Sequence, residues 1–134
     1  MEKTLAIVKP DAFEHSVEIM DLIMDKTDLF VFAWRTTTIK VEDAVRFYEE
    51  HAKQPFFEGL VEHMTSGPCL LMVLEGDDAV NKWQTLLGQT DPQGAEMGTV
   101  RARYGTELPK NAAHGSNSVE SAEREIGFFF PDVN

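Results

Sequence analysis

The run Cys69-Leu70-Leu71-Met72-Val73-Leu74 is the most apolar stretch of the sequence, and Gly67-Pro68 separates it from the segment before it. A short, continuous apolar run between turn-forming residues is typical of a strand that is buried on both faces. The run therefore predicts a central strand, around which the rest of the domain is arranged.

The remaining elements alternate along the chain. Strand-forming residues dominate 4–8 and 30–39, and helical spacing of apolar residues occurs over 17–26, from 41 to the proline at 55, and over 57–64, 77–88 and 118–128. A short helical turn is predicted over 99–104, whereas 89–98 and 105–115 have no periodicity. This alternation predicts one α+β or α/β domain, residues 1–134, with a helix-covered sheet, and a βαββαβ order would make it ferredoxin-like.

Charge narrows the range of partners. The 134 residues include 12 Lys and Arg against 23 Asp and Glu, which gives a net charge of −11. Duplex nucleic acid and anionic membranes both require a broad basic surface, so neither is expected as a partner. A small phosphate ligand needs only a few local cations and stays compatible with this composition.

The sequence also indicates a compartment. Cys69 is the only cysteine, so no internal disulfide can form and a reducing environment is expected. No apolar run approaches the roughly 20 residues of a membrane span, and the N-terminus lacks the apolar segment of a signal peptide. These features predict a soluble, cytoplasmic domain.

Two segments concentrate unusual polar residues. One is Lys9-Pro10-Asp11, at the end of the first predicted strand, and the other extends from Thr90 to His114-Gly115-Ser116. Neither contains the GxxxxGK[ST] or GxGxxG pattern, so a phosphate site here would be neither a P-loop nor a Rossmann crevice.

Four blocks of sequence, in order, resemble those of nucleoside diphosphate kinases. They are Ile7-Val8-Lys9-Pro10-Asp11; Pro55-Phe56-Phe57-Glu58-Gly59-Leu60-Val61 with Met64-Thr65-Ser66-Gly67-Pro68; Leu87-Gly88-Gln89-Thr90-Asp91-Pro92 with Gly98-Thr99-Val100-Arg101; and 111–122, centred on His114-Gly115-Ser116. The match extends over about residues 4–130. Each block alone is a weak signal, but four in the right order are a strong one.

The resemblance implies a fold and a reaction. The fold is a ferredoxin-like βαββαβ domain, with a four-stranded antiparallel sheet covered by helices. The reaction transfers the γ-phosphate of ATP to nucleoside diphosphates by a ping-pong route through a phosphohistidine. The resemblance also implies a homo-oligomer, and Mg²⁺ that is bound through the nucleotide phosphates rather than by a protein metal site.

The resemblance further assigns roles to individual residues. His114 is the nucleophile, since an imidazole is largely neutral at pH 7 and needs no added base. Glu125 orients it, Lys9 and Arg101 bind the moving phosphate, and Tyr48 helps to place Lys9. The remaining positions are Phe56 for base stacking, Gln84, Thr90 and Asn111 for nucleotide binding, and Gly115 and Ser116 in support.

Departures from the family pattern leave an alternative open. Gln84 stands where the family usually has a phosphate-binding arginine, and Arg103, two positions after Arg101, is a candidate to compensate. Such changes are typical of a divergent, often ciliary branch, which makes a cilium or flagellum the alternative location. The alternative function is a weakly active or inactive nucleotide-binding scaffold. A ferredoxin-like RNA-binding domain is disfavoured by the net charge of −11.

Other residues have simpler interpretations. The three remaining histidines lack a motif and are predicted to lie on the surface or to be partly packed; they are His15, His51 and His63. Cys69 is predicted to be an inert buried side chain. Residues 20–24, which begin and end with methionine, are predicted to fill the core. Of the two adjacent phenylalanines, Phe57 is expected inside and Phe56 at the cleft.

Overall fold

A computed structural model describes residues 1–133 of the chain. Four strands and six α-helices alternate in it. The strands are β1 (Glu2–Val8), β2 (Phe30–Thr37), β3 (Cys69–Gly76) and β4 (Ala113–Gly115). The helices are α1 (Ser16–Lys26), α2 (Val41–Phe47), α3 (Phe57–Met64), α4 (Ala79–Leu87), α5 (Val100–Tyr104) and α6 (Val119–Phe129), with 3-10 turns at Pro10–His15, Glu49–His51 and Pro92–Gly94.

The strands form one antiparallel sheet in the order β2-β3-β1-β4. The apolar run that begins at Cys69 is therefore a central strand, as predicted. In β1, Ile7 pairs with Leu71 of β3 on one side and with His114 of β4 on the other. This register brings the histidine of the HGS segment beside the strand that leads to Lys9.

Both faces of the two central strands, β1 and β3, are buried, each beneath its own helices. Alternate residues of β1 and β3 point to opposite faces, because side chains alternate along a strand. On one face Ala6 and Met72 pack with residues of α1 and α4, among them Ile19 and Trp83. On the other face the core contains Leu5, Ile7, Leu71, Val73, Tyr48, Met64, Ile126 and Phe129.

The structure corrects the predicted boundaries in two places. Residues 105–115 were expected to be irregular, yet Ala113–Gly115 forms β4. A strand of three residues is too short to show a periodic pattern in the sequence. The second helix was expected to continue to Pro55 with Val45 on its apolar stripe. It ends at Phe47, a 3-10 turn follows, and Val45 is exposed.

Residues 20–24 also differ from expectation. Met20 packs partly against the core, but Met24 is 67 % exposed and fills no part of it.

Cys69 is fully buried, as predicted, and burial raises the pKa of its thiol to about 12. Within residues 1–133 no helix combines the length and apolarity that a membrane crossing requires.

Candidate active site

A cavity of about 540 Å³ opens where β1, β4 and the ends of several helices meet. It is lined by every residue that the sequence predicted for the site except Ser116. These lining residues are Lys9, Tyr48, Phe56, Gln84, Thr90, Arg101, Asn111, His114, Gly115 and Glu125. Residues separated by more than 100 positions in sequence thus share one cleft.

His114 lies on β4 and its ring is held by a carboxylate of α6. His114 Nε2 lies 2.7 Å from Glu125 Oε1, and Ser116 Oγ donates to the same oxygen at 2.9 Å. Ser116 is buried behind the cavity, where its hydroxyl accepts from the amide of Leu5 at 3.3 Å. The carboxylate is therefore anchored to the sheet and fixes the orientation of the imidazole.

This arrangement also determines which ring nitrogen is available. A neutral imidazole carries one N–H and one lone pair, and the N–H is directed to the carboxylate acceptor. With His114 Nε2 donating to Glu125, the lone pair is on Nδ1. Burial disfavours the charged form of Glu125, but the hydrogen bonds from His114 and Ser116 outweigh it and hold its pKa below the usual value.

Lys9 is a buried cation at the end of β1. Its ammonium donates to Asn111 Oδ1 at 2.7 Å and to the carbonyl of Pro109 at 3.3 Å. Burial, with the nearby charge of Arg101, lowers the pKa of Lys9 from 10.5 to about 8. A lysine so poorly solvated gains strongly from an anionic ligand.

Arg101 is the second buried cation, on α5. It donates to the carbonyls of Gly88 at 3.1 Å and Ala113 at 2.9 Å, and burial lowers its pKa to about 10. Asn111, the partner of Lys9, donates in turn to the carbonyl of Thr90 at 2.9 Å. The cations and their amide and carbonyl partners form one connected polar wall.

Aromatic rings also line the cavity. Tyr48 is buried, which raises the pKa of its hydroxyl, and its ring lies edge-on to His114 with centroids 6.4 Å apart. Phe47, which sequence reasoning missed, lies closer to the His114 ring at 5.6 Å. Phe47 is next to Tyr48 in the sequence, but only the structure, in which α2 ends at Phe47, places its ring beside His114.

The mouth of the cavity carries Phe56, which is 52 % exposed, with its ring 5.6 Å from that of His51. Phe57 packs against the core instead. The predicted division between the two phenylalanines thus agrees with their burial. His15 and His51 are partly exposed, as expected, although His51 also lines this cavity.

His63 is more than a partly packed histidine. Its Nε2 lies 2.8 Å from Asp11 Oδ1, and both side chains are about one-tenth exposed. The other oxygen of Asp11 accepts from the amide of Ala112 at 3.0 Å. Ala112 has a φ of +74°, a conformation that is costly for a residue with a Cβ, so this bond braces the turn beside Asn111.

The two departures from the family pattern have different placements. Gln84 lies in the cavity wall, and its amide nitrogen donates to the carbonyls of Gly115 and Ser116. Arg103 does not line this cavity; it borders a separate groove with Glu18 and Asp21. The expectation that Arg103 compensates for the missing arginine is therefore wrong, because α5 directs Arg101 and Arg103 to different places.

Comparison with known proteins agrees with this geometry. Residues 2–134 match the family model described as nucleoside diphosphate kinase. The chain belongs to the nucleoside diphosphate kinase family. It is similar to the nucleoside diphosphate kinase of Campylobacter fetus, at 48 % identity over 97 % of this chain and 96 % of the relative. That of a Nitratiruptor species is 46 % identical over the same shares.

Solved nucleoside diphosphate kinases have the same fold. That of Aquifex aeolicus superposes with a TM-score of 0.93, at 41 % identity over 96 % of this chain and 94 % of the other. That of Halobacterium salinarum, in complex with CDP, gives a TM-score of 0.91 at 40 % identity, over 96 % and 87 % of the two chains. The predicted family, ferredoxin-like fold and nucleoside diphosphate kinase function are confirmed in preference to an inactive scaffold. Nothing in these matches supports a cilium or flagellum.

Proposed function

We propose that this chain transfers the γ-phosphate of ATP to nucleoside diphosphates through a phosphohistidine on Nδ1 of His114. The observation that carries the proposal is the 2.7 Å contact of His114 Nε2 with Glu125, within a cavity that also contains two buried cations. The contact leaves the Nδ1 lone pair as the nucleophile.

The transfer occurs in two displacements. The Nδ1 lone pair of His114 bonds to the γ-phosphorus as the bond from that phosphorus to the β–γ bridging oxygen breaks, and the diphosphate leaves with that electron pair. A terminal oxygen of the acceptor's β-phosphate then attacks the phosphorus. The P–N bond breaks and its electron pair returns to Nδ1. Glu125 stabilises the positive charge that the ring acquires in between.

Lys9 and Arg101 neutralise the phosphates during both steps. Charge spreads over the transferred group's oxygens in the transition state, so positioned cations lower its energy. Both cations bond only neutral oxygens in the contacts described above, and a phosphate would relieve the cost of burying them. Two further buried atoms, the Tyr48 hydroxyl and Arg101 Nε, have no partner within residues 1–133, as expected of a site that a polar ligand completes.

Mg²⁺ fits this site through the nucleotide. No group of three or more His, Cys, Asp or Glu side chains capable of holding a metal occurs in residues 1–133. Lys9 and Arg101 would hold the phosphates that carry the ion. When bound, the ion would add positive charge between the phosphates.

The nucleoside would lie toward the mouth of the cavity. Phe56 is half-exposed there and offers a ring face for stacking, which tolerates any base. Asn111 is buried in the cavity wall and Thr90 is exposed on it, and both would bond the sugar and phosphates. This arrangement supports a broad range of bases.

We also propose a cytoplasmic homo-oligomer. The outer strand β2 exposes Phe30, Phe32 and Trp34 at alternate positions, with Trp34 61 % exposed. Aromatic rings in a row on an edge strand favour contact with another protein surface. The single cysteine of the chain, free and buried, is compatible with a reducing compartment.

The phosphohistidine can be tested with γ-labelled ATP and Mg²⁺. The protein should acquire an acid-labile, base-stable label that moves to an added diphosphate. His114→Ala should acquire none, whereas His15→Ala, which alters a half-exposed histidine outside the cavity, should be labelled like the unchanged chain. Label on His114→Ala, or no label on the folded unchanged chain, would overturn the proposal.

A further inference from the structure

Gln84 lies in the cavity wall, but the segment after His114 uses its hydrogen-bond donors. Its amide nitrogen donates to the carbonyl of Gly115 at 3.1 Å and to that of Ser116 at 2.9 Å. The side-chain oxygen of Asn117, at 3.5 Å, is at the limit of a third contact. An amide NH₂ has two hydrogens, and two carbonyls already use them.

The preceding residue of α4 makes the same kind of contact. Trp83 Nε1 donates to the carbonyl of His114 at 3.1 Å. Two consecutive side chains of α4 therefore hold three consecutive carbonyls, those of residues 114, 115 and 116. This helix binds the exact stretch of backbone that carries the nucleophile.

Close packing makes this attachment sensitive to position. A Cβ on Gly115 would lie 2.7 Å from Leu87 Cδ1 and 2.9 Å from Trp83 Nε1, so helix and strand are in direct contact. On the sheet side, β4 has three residues and pairs with β1 alone. So short a strand depends on α4 to fix its position.

We propose that Gln84 is a positioning residue, which fixes the backbone of Gly115 and Ser116 and through it the His114 ring, and that it is not a ligand of the phosphates. This inference rests on the proposed function. Where the family usually has an arginine directed at phosphate, this chain has an amide that stabilises its own nucleophile strand. Lys9 and Arg101 then supply the phosphate-binding charge.

The two roles predict different kinetics. Removing a phosphate ligand weakens nucleotide binding. Removing a positioning contact leaves binding intact but slows transfer, since a displacement of about 1 Å can reduce a rate about 100-fold. We expect the single-turnover rate of His114 phosphorylation to fall about tenfold or more, with the Kd for ADP unchanged within about twofold.

The test uses Gln84→Met, which keeps the length of the side chain and removes its donors. Asn81→Leu is the matched control: Asn81 lies one turn earlier on α4, is exposed, and donates only to Asp78 in the contacts described. Rapid-quench labelling gives the transfer rate and calorimetry gives the Kd for ADP. A rise in Kd of about tenfold with an unchanged rate would overturn the inference, as would an equal loss of rate in the control.

One further measurement separates this inference from the proposed function. The carbonyl ¹³C resonances of Gly115 and Ser116 should shift in Gln84→Met but not in Asn81→Leu, whether or not the chain takes label. Unchanged resonances would overturn the positioning role even in an active enzyme. If Gln84→Met does not fold, Gln84→Asn retains a polar amide that is too short to reach the carbonyls and should show the same slowed transfer.

Discussion

At the scale of single residues, the burial of Lys9 sets a pH limit on the site. The ammonium must be charged to bind phosphate, and its lowered pKa of about 8 means that it loses its proton as pH rises through that value. We therefore expect kcat/KM to fall above about pH 8, because kcat/KM reports the ionisation of the free enzyme. Rates measured from pH 6.5 to 9.5 at low nucleotide would check this, and a flat profile up to pH 9 would contradict it.

The same shift acts on stability with a definite sign. The folded chain releases the Lys9 proton near pH 8, whereas the unfolded chain keeps it up to about 10.5. Between these values the unfolded state binds more protons, so the free energy of unfolding increases, and the folded chain becomes more stable, as pH rises. Below pH 8 Lys9 is charged in the folded chain, and burying that charge lowers the free energy of unfolding. The same buried charge is what binds an anionic ligand.

His63 should stabilise the turn that carries Asn111. Replacing His63 with Phe removes the 2.8 Å contact with Asp11 and leaves a nearly buried carboxylate without that partner. We expect a loss of about 1–3 kcal/mol in the free energy of unfolding, measured in urea. KM for the nucleotide should rise as the turn at Ala112 loosens.

His15→Phe is the control for that substitution. His15 makes a partly exposed contact with Glu18 at 3.2 Å, and exposed polar pairs contribute about 0–1 kcal/mol. Equal losses of stability from both substitutions would argue against a special role of the Asp11 contact.

Only some of the residues of the site could be predicted from the sequence. His114 and Lys9 lie within local blocks, so their presence in the site was predictable from the blocks alone. The pairing of His63 with Asp11 joins positions 52 apart, which no local pattern indicates. For Gln84 the residue type was informative, but only the structure shows where its two N–H groups are directed.

At the scale of secondary-structure elements, the contact between β4 and α4 leaves no room for a methyl group. Gly115→Ala would place a Cβ 2.7 Å from Leu87, and such overpacking costs about 1–3 kcal/mol. We expect a lower melting temperature together with a reduced transfer rate, because His114 moves with its strand.

Gly127→Ala makes the same chemical change where space is available. Nothing lies within 4 Å of a Cβ at Gly127, which is on α6, and alanine is favoured over glycine inside a helix by about 1 kcal/mol. This substitution should stabilise the chain and leave transfer unchanged. Destabilisation by both substitutions would show that the methyl group at position 115 has no specific effect.

Elements with strong patterns were predictable, and those fixed by tertiary contacts were not. The buried run from Cys69 and the helical spacing of 17–26 and 57–64 depend on local burial, and the structure shows β3, α1 and α3 there. The strand β4 exists because β1 provides its hydrogen bonds, and α2 ends at Phe47 because Tyr48 leaves the helical conformation. Neither cause can be read from the segment itself.

At the scale of the whole molecule, the aromatic row on β2 should govern association. Replacing both Phe32 and Trp34 with lysine would put two charges on the proposed contact surface, and we expect the oligomer to dissociate. Light scattering coupled to gel filtration would measure the mass. Met97→Lys, at a position 98 % exposed in a loop, should keep the original mass.

If both variants and the unchanged chain have the mass of a monomer, the oligomer proposal fails. The fold class was predictable from the order of elements along the chain. The proposed oligomer was implied only by the family resemblance, because exposure of alternate residues on β2 depends on the place of that strand at the edge of the sheet. A sequence pattern does not reveal which strand is outermost.

The contact between Trp83 and the carbonyl of His114 has an optical consequence. The chain has two tryptophans: Trp83 is fully buried and bonded to the backbone of the nucleophile, whereas Trp34 is exposed on the outer strand. Trp34→Phe would leave a single indole whose emission responds to the electrostatic field at the histidine. The fluorescence of that variant could follow each arrival and departure of a phosphoryl group in real time, without any attached dye.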